Sequence, residues 1–359
     1  MHNIKTLKQY ANEAVQRILV NISRGVKHTD RLHGPSGIGK TAIIRQMVDR
    51  LAEETGEPWG FASINIANHG AWDLIGMPDV QADKTVFKQP EFLPDLSVPG
   101  TPANGIFLVD EIDKAKGDMV NACMPLIAEG KVGSYQIPEG WIIIAAQNRV
   151  IDNAGSAGTI NSANIRRAVD IGIYADADEL CQYATKEGWH PMVTAFLGFR
   201  PELVHEFPDG IQTKDLKGRY GFACPATWEM TSDFMEYGFE TPVLRGYLAD
   251  GILGEGVATE FTNFLQVVDN LPSFKEILRG GKPQVSSDQI SVKFALISLL
   301  AQKTNGEIDF HYCVHYCHDE LGPEFGATYV RLVTARCPDL KDSQTYRDYK
   351  INHQNLHID

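Results

Sequence analysis

An α/β fold, with a parallel sheet flanked by helices and a mostly helical region behind it, is what this sequence predicts. Three observations carry that expectation. Short continuous apolar runs at 106–109 and 141–146 read as strands buried on both faces, and 169–174 is a third strand candidate. Segments of helical period lie between strand signals, and that alternation makes a layered α/β sheet. After about residue 175 the strand signal stops. Segments of helical period at 226–237, 257–268 and 288–303, separated by Pro and Gly, take over.

The elements follow in order. Ile4, Leu7, Ala11, Ala14, Val15, Ile18 and Leu19 have helical spacing, so an amphipathic helix is expected over 4–19. A short strand ends near Arg31-Leu32-His33, a Gly-rich turn follows, and a helix runs from about Lys40 to Glu54. The residues from 61 to 66 alternate as in a strand. Pro and Gly are dense over 72–104, where Thr85-Val86-Phe87 reads as one arm of a small hairpin. A helix covers about 117–128, with Pro125 as a kink or early stop. The last fifty or so residues read as helical or irregular.

With 359 residues, the chain has room for about two domains and for a core that needs neither disulfides nor metal. Lys and Arg number 33 against 46 Asp and Glu, a formal charge of −13. That balance argues against a broad basic footprint for nucleic acid or an anionic membrane. No run reaches the roughly 18 apolar residues of a membrane span. The first residues lack a basic-then-apolar leader, so a cytoplasmic location is expected. The six cysteines, Cys123, Cys181, Cys224, Cys313, Cys317 and Cys337, are scattered and do not form a disulfide framework.

Gly34-Pro35-Ser36-Gly37-Ile38-Gly39-Lys40-Thr41 fits G-x-x-x-x-G-K-[ST] without a mismatch. Glycines let the backbone fold tightly, so that its N–H groups point at phosphate oxygens. The helix that begins near Lys40 adds its positive end. Lys40 is a point charge for the β- and γ-phosphates, and the Thr41 hydroxyl is a ligand for Mg²⁺. Ile106-Phe107-Leu108-Val109-Asp110-Glu111 is an apolar strand ending in two acids. At the carboxyl end of a parallel sheet these face the ligand crevice. Asp110 would hold Mg²⁺, mainly through water, and Glu111 would orient and deprotonate an attacking water. Asp113 reads as a solvated residue or a cap for the next helix. Trp141-Ile142-Ile143-Ile144-Ala145-Ala146-Gln147-Asn148 is a further buried strand with an amide at its exit, and Asn148 could reach the lytic water or the γ-phosphate. Seventy positions separate Lys40 from Asp110, which leaves room for an extra strand between the P-loop strand and the acidic strand.

With these elements in this order, the chain resembles an AAA+ ATPase, and within that group the MoxR family. The core of the likeness runs over about 30–175, with a weaker continuation to about 305. Walker A is 34–41, Walker B is 106–111 and sensor 1 is Asn148. Asp73-Leu74-Ile75-Gly76-Met77-Pro78 and the Pro-rich stretch after it look like the helix-2 insertion, and Gly130-Lys131-Val132-Gly133-Ser134-Tyr135 looks like the pre-sensor-1 hairpin. Gly254-Glu255-Gly256-Val257-Ala258-Thr259-Glu260-Phe261 is similar to a lid segment of some members. The resemblance implies an AAA+ nucleotide-binding domain at 1–175, with insertion at about 68–104 and hairpin at about 129–141. It also implies a helical lid at 176–310 and leaves a C-terminal extension at 311–359. It implies ATP and Mg²⁺ as cofactors and a homo-oligomeric ring, usually a hexamer. In such a ring a neighbour's arginine meets the γ-phosphate. Ala163-Asn164-Ile165-Arg166-Arg167 matches the segment that carries it, with Arg167 the better placed and Arg166 the alternate. One departure is Cys224-Pro225-Ala226-Thr227-Trp228-Glu229, where Ala226 stands in place of the family's lid arginine; either another basic residue such as Arg200 or Arg245 substitutes, or this sensor is absent.

Other stretches carry weaker signals. His311, Cys313, His315, Cys317 and His318 crowd one of them, and Cys313/Cys317 and His353/His357 are each four apart. Zinc is one reading; the plainer one is a helix with cysteines on its buried face. Phe87 and Tyr135, in the two hairpins, would either grip a polypeptide or pack within the protein. Trp228, Met230, Phe234 and Tyr237 read as lid core. The expected function is ATP hydrolysis that remodels a protein client, with a partner carrying a von Willebrand factor A domain implied by resemblance. The alternatives are a nucleic-acid motor or loader, and an ATP-gated scaffold with little turnover.

Overall fold

The structure is a computed structural model and describes residues 4–24, 28–115, 117–152, 168–211, 218–267, 271–285, 289–356 and 358. The chain divides into two compact units. The first comprises Met1–Tyr174 and the returning segment Phe207–Asp215; the second comprises Ala175–Glu206 and Leu216–Asp359.

The first unit is built on a six-stranded sheet of β1 (Ile4–Thr6), β2 (Asp30–His33), β3 (Trp59–Asn65), β6 (Asn104–Asp110), β9 (Trp141–Gln147) and β10 (Val169–Tyr174). Their spatial order is β1-β10-β2-β9-β6-β3, and every pairing is parallel. The P-loop strand β2 is therefore central. Counting β2, β3, β6, β9 and β10 as core strands one to five gives the order 5-1-4-3-2. This is the α/β fold expected from the sequence, a parallel sheet built around the P-loop strand. The strand between the P-loop strand and the acidic strand is β9, while β3 lies outside β6, so the strand expected at 61–66 does not separate the two motifs in space.

The sequence sorts the two faces of the sheet. Along β6, Phe107 and Val109 pack into a core with Ile64, Met119, Leu126, Trp141 and Ile143. Alternate residues Ile106 and Leu108 are buried as well and project to the other face. Each such side chain taken fully out of water contributes about 1.5–3 kcal/mol. Helix α1 (Leu7–Arg24) begins later than the expected start at residue 4, because residues 4–6 pair with β10 as an edge strand. Tyr10 and Arg17 of α1 both bond the Asp30 carboxylate at the start of β2, the former at 3.0 Å. Arg31 makes a forked pair with its register partner Asp170, at 2.5 and 2.8 Å, across β2 and β10.

Helices α2 (Lys40–Thr55), α3 (Ala71–Ile75) and α4 (Asp118–Glu129) complete this unit. Pro125 does not stop α4, which continues to Glu129 with Leu126 and Ile127 buried. Two small antiparallel hairpins project from it. One pairs β4 (Met77–Pro78) with β5 (Phe87–Lys88), and the other pairs β7 (Lys131–Val132) with β8 (Tyr135–Gln136). The Tyr135 hydroxyl donates to the Pro94 carbonyl, so this ring packs within the protein.

The second unit is helical among the described residues. Pro191, Pro225 and Pro323 open three of its helices, where a missing N–H costs nothing. Trp228 lies against Phe196 and Phe261, with ring centroids 5.5 and 5.7 Å away. The same core takes in Cys313, Val314, Tyr329, Val330 and Tyr346, so residues beyond 310 pack with those before them. Trp228 is fully buried, whereas Met230 and Tyr237 of the expected core stripe are exposed. No helix among the described residues is long and apolar enough to cross a membrane.

Candidate nucleotide-binding site

The carboxyl ends of β2, β9, β6 and β3 lie side by side, so residues far apart in sequence meet at one edge of the sheet. The loop after β2 is bent by Gly37 and Gly39, whose φ angles of 75° and 97° are left-handed and favour glycine. Gly34 N–H donates to the Gln147 carbonyl of β9 at 3.3 Å and fixes the loop to its neighbouring strand. Lys40 then begins α2 directly behind Gly39.

The Lys40 ammonium is buried and folded back on its own loop. It donates to the carbonyls of Gly34 and Pro35, each at 2.9 Å, and to Asn148 Oδ1 at 3.3 Å. Burial pushes its pKa down to about 8, against the pull of Asp110, Asp113 and Asp152, and Arg149 adds to the depression. The Thr41 hydroxyl donates to Asp110 Oδ2 at 2.9 Å, and Asp110 Oδ1 accepts the Glu111 N–H at 2.8 Å. Two hard oxygen donors in contact at the mouth of the loop suit a hard divalent cation, and Thr41 and Asp110 would hold Mg²⁺ there.

Glu111 is the only non-glycine residue with positive φ among those described, at 55°. Such a backbone turns the side chain out of the strand line, a conformation that costs energy and is common at functional sites. Its carboxylate bonds Lys114 at 2.6 Å. Partial burial raises its pKa, but hydrogen bonds from Lys114 and Asn65, with the charges of Lys114 and Lys40, outweigh that and hold it below the usual carboxylate range.

Asp113 corrects the sequence expectation. It is not solvated: it is buried, and its Oδ1 accepts the backbone N–H of Asn148 at 3.1 Å. Sequence reading also missed Asn65 and Arg149. Asn65 is the register partner of Asp110, and its signal was an amide at the end of a strand parallel to the acidic one. Arg149 follows Asn148 and makes a forked pair with Asp152, at 2.8 and 2.9 Å.

Lys40, Thr41, Asp110, Glu111 and Asn148 are therefore brought together. Arg166 and Arg167 lie outside the described residues. In the helical unit Ala226 is exposed in the first turn of its helix. Arg200 is paired with Glu202 and Glu260, and Arg245 with Glu255.

Solved structures similar to this chain include NtrX from Brucella abortus, at 13% identity and a TM-score of 0.38, over 94% of this chain and 67% of that one. NtrX in complex with ADP matches at 12% identity and a TM-score of 0.40, over 98% of this chain and 68% of that one. A point mutant of Thermotoga maritima RuvB matches at 12% identity and a TM-score of 0.37, over 85% of this chain and 89% of that one. No family model and no curated protein matches the chain.

Proposed function

We propose that this protein is an ATP hydrolase that works by in-line attack of water on the γ-phosphate. The observation that carries the reading is the convergence of Lys40 with Asn148, at 3.3 Å, and of Thr41 with Asp110, at 2.9 Å, with Glu111 next in the chain to Asp110 and within electrostatic range of Lys40. The loop N–H groups and Lys40 bind the β- and γ-phosphates, and Lys40 exchanges its loop carbonyls for phosphate oxygens. Mg²⁺ supplies charge neutralisation on those oxygens when bound by Thr41 and Asp110. Glu111 takes the proton of the attacking water once Lys114 and Asn65 release it. Asn148 positions that water or the γ-phosphate, and Asp113 fixes the backbone of Asn148.

The finer reading is a MoxR-like machine that remodels a protein client as a ring, usually a hexamer, with Arg167 or Arg166 of a neighbour completing the site. Exposed apolar side chains in the insertion, Trp72 at 67% and Val80 at 93% exposure, support contact with a polypeptide. A partner with a von Willebrand factor A domain belongs to this reading through the family resemblance. The −13 charge weighs against a nucleic-acid motor. Two observations favour the ATP-gated scaffold: Ala226 stands where the family's lid arginine would be, and the Lys114 pair engages the Glu111 carboxylate.

Phosphate release from ATP and Mg²⁺ by wild type and by Glu111→Gln tests the proposal. The expected loss in the variant is about 10²–10⁴-fold with ATP binding retained. The same variant, loaded with ATP, should assemble beyond a dimer. Equal, negligible rates in both proteins would replace the hydrolase with the scaffold.

A further inference from the structure

Arg149 does more than follow Asn148. Its guanidinium forks onto Asp152, and it also donates to the Phe207 carbonyl at 3.4 Å and to the Pro208 carbonyl. Asp152 Oδ1 in turn accepts the Ile211 N–H at 3.2 Å. Both side chains are largely withdrawn from water, at 19% and 4% exposure. The three bonds tie the exit of the sensor strand β9 to a segment nearly sixty residues away in sequence. Packing seals the join: Gly210 has φ of 119°, and a Cβ there would meet the Ile151 side chain at 3.0–3.1 Å. This segment is the one that returns to the first unit, and the chain passes to the helical unit at both of its ends, 206/207 and 215/216.

Such a junction responds to charge. A bound polyphosphate brings several negative charges beside Lys40 and Asn148, one residue from the guanidinium. Arg149 and Asp152 act electrostatically on Lys40 with opposite signs, so both already lie within range of that charge. A guanidinium drawn towards phosphate loosens its hold on Asp152 and on the two carbonyls. We propose that Arg149 and Asp152 form a latch through which occupancy of the phosphate site changes the hold on residues 207–211, the stretch between the chain's crossings into the helical unit. Arg149 is thus a positioning residue for hydrolysis. The inference rests on the nucleotide reading above.

Hydrogen exchange of the full chain, with and without ATP and Mg²⁺, tests it in the slow Glu111→Gln background. ATP should speed exchange at the Gly210 and Ile211 amides by about fivefold or more. Adding Arg149→Lys keeps a positive charge but removes the fork. Exchange there should then be fast in both states, with ATP affinity changed less than about threefold. In the wild-type background, Arg149→Lys should lower kcat by about tenfold with little change in KM. Asp152→Asn is the second variant and should reproduce both results. If ATP binds and exchange at 210–211 ignores it, or if both variants keep the ATP response, the latch is overturned and the hydrolase reading stands. Failure of ATP to bind would overturn both.

Discussion

Two stretches of this chain are crowded with chemistry-bearing residues, and folding treats them in opposite ways. Around the P-loop, residues up to 108 positions apart are drawn together, as in the contact between Lys40 and Asn148. At 311–318, residues two apart are sorted onto different faces. Cys313 and Cys317 are fully buried in the helical core, while His311 and His315 are exposed. His318 stacks near His353, with ring centroids 4.0 Å apart. The difference is geometric. Parallel strands end at a common edge, so their final residues meet whatever their sequence separation. A helix turns about 100° per residue, so positions two apart point nearly opposite ways. No group of three or more potential metal ligands occurs among the described residues, outside which His357 lies. Density in sequence is therefore a weak sign of a site on a helix, and position at a strand end is a strong one.

The comparison is tested most severely at Lys40. Lys40→Ala should reduce ATP affinity by about thirtyfold or more, the usual result of removing one partner of a buried charged hydrogen bond. Titration with a fluorescent ATP analogue measures it, and an unchanged affinity would dissolve the converged site. At the other stretch the expected effect is on stability alone. Cys317→Ser places a hydroxyl in an apolar core and should cost about 1–3 kcal/mol in urea unfolding. A chelator should leave the unfolding curve of the wild type where it was. A downward shift on chelation would instead restore zinc to the Cys/His stretch.

Much of the front of the molecule was legible because buried parallel strands write themselves as apolar runs with polar exits. β6 and β9 are such runs, and their exits are Asp110, Glu111 and Asn148. Asp113 was misread because an acid three residues past a strand looks solvated; only the return of β9 beside β6 puts the Asn148 backbone over it. Arg149 was missed because its partners, Phe207 and Pro208, come from a segment whose return to the first unit leaves no periodic signal. The helical unit was legible as helices but not as a packing. The stripe over 226–237 shows why: Trp228 is central to the core, yet Met230 and Tyr237 face solvent.

The histidines of the dispersed stretch have a smaller consequence, and it concerns pH. His315 is held below its ordinary pKa by partial burial, then by the charges of His311, His353 and Lys282, with Asp319 opposing. His318 is lowered by burial and by His353 and His315, again against Asp319. Lys282, from the loop before the helix Ile290–Lys303, is itself paired with Glu320, and Tyr349 from the last helix bonds His318 at 3.1 Å. A base whose folded pKa lies below its unfolded value, near 6.5, binds fewer protons when folded across that interval. The unfolded chain then gains protons preferentially, so stability falls as pH drops below about 6.5 and levels off below the lowered folded values. Above pH 7 the rings are neutral in both states and the effect vanishes. Thermal unfolding of wild type and His315→Gln at pH 7.5 and 5.5 isolates the contribution from the carboxylates, which both proteins share. The variant should lose less of its melting temperature on acidification, because one of the mutually repelling imidazoles is gone. An equal loss in both would mean that the exposed rings are too well screened to sense one another. A larger loss in the variant would mean that His315 is stabilised by acid, which requires Asp319 to dominate its surroundings.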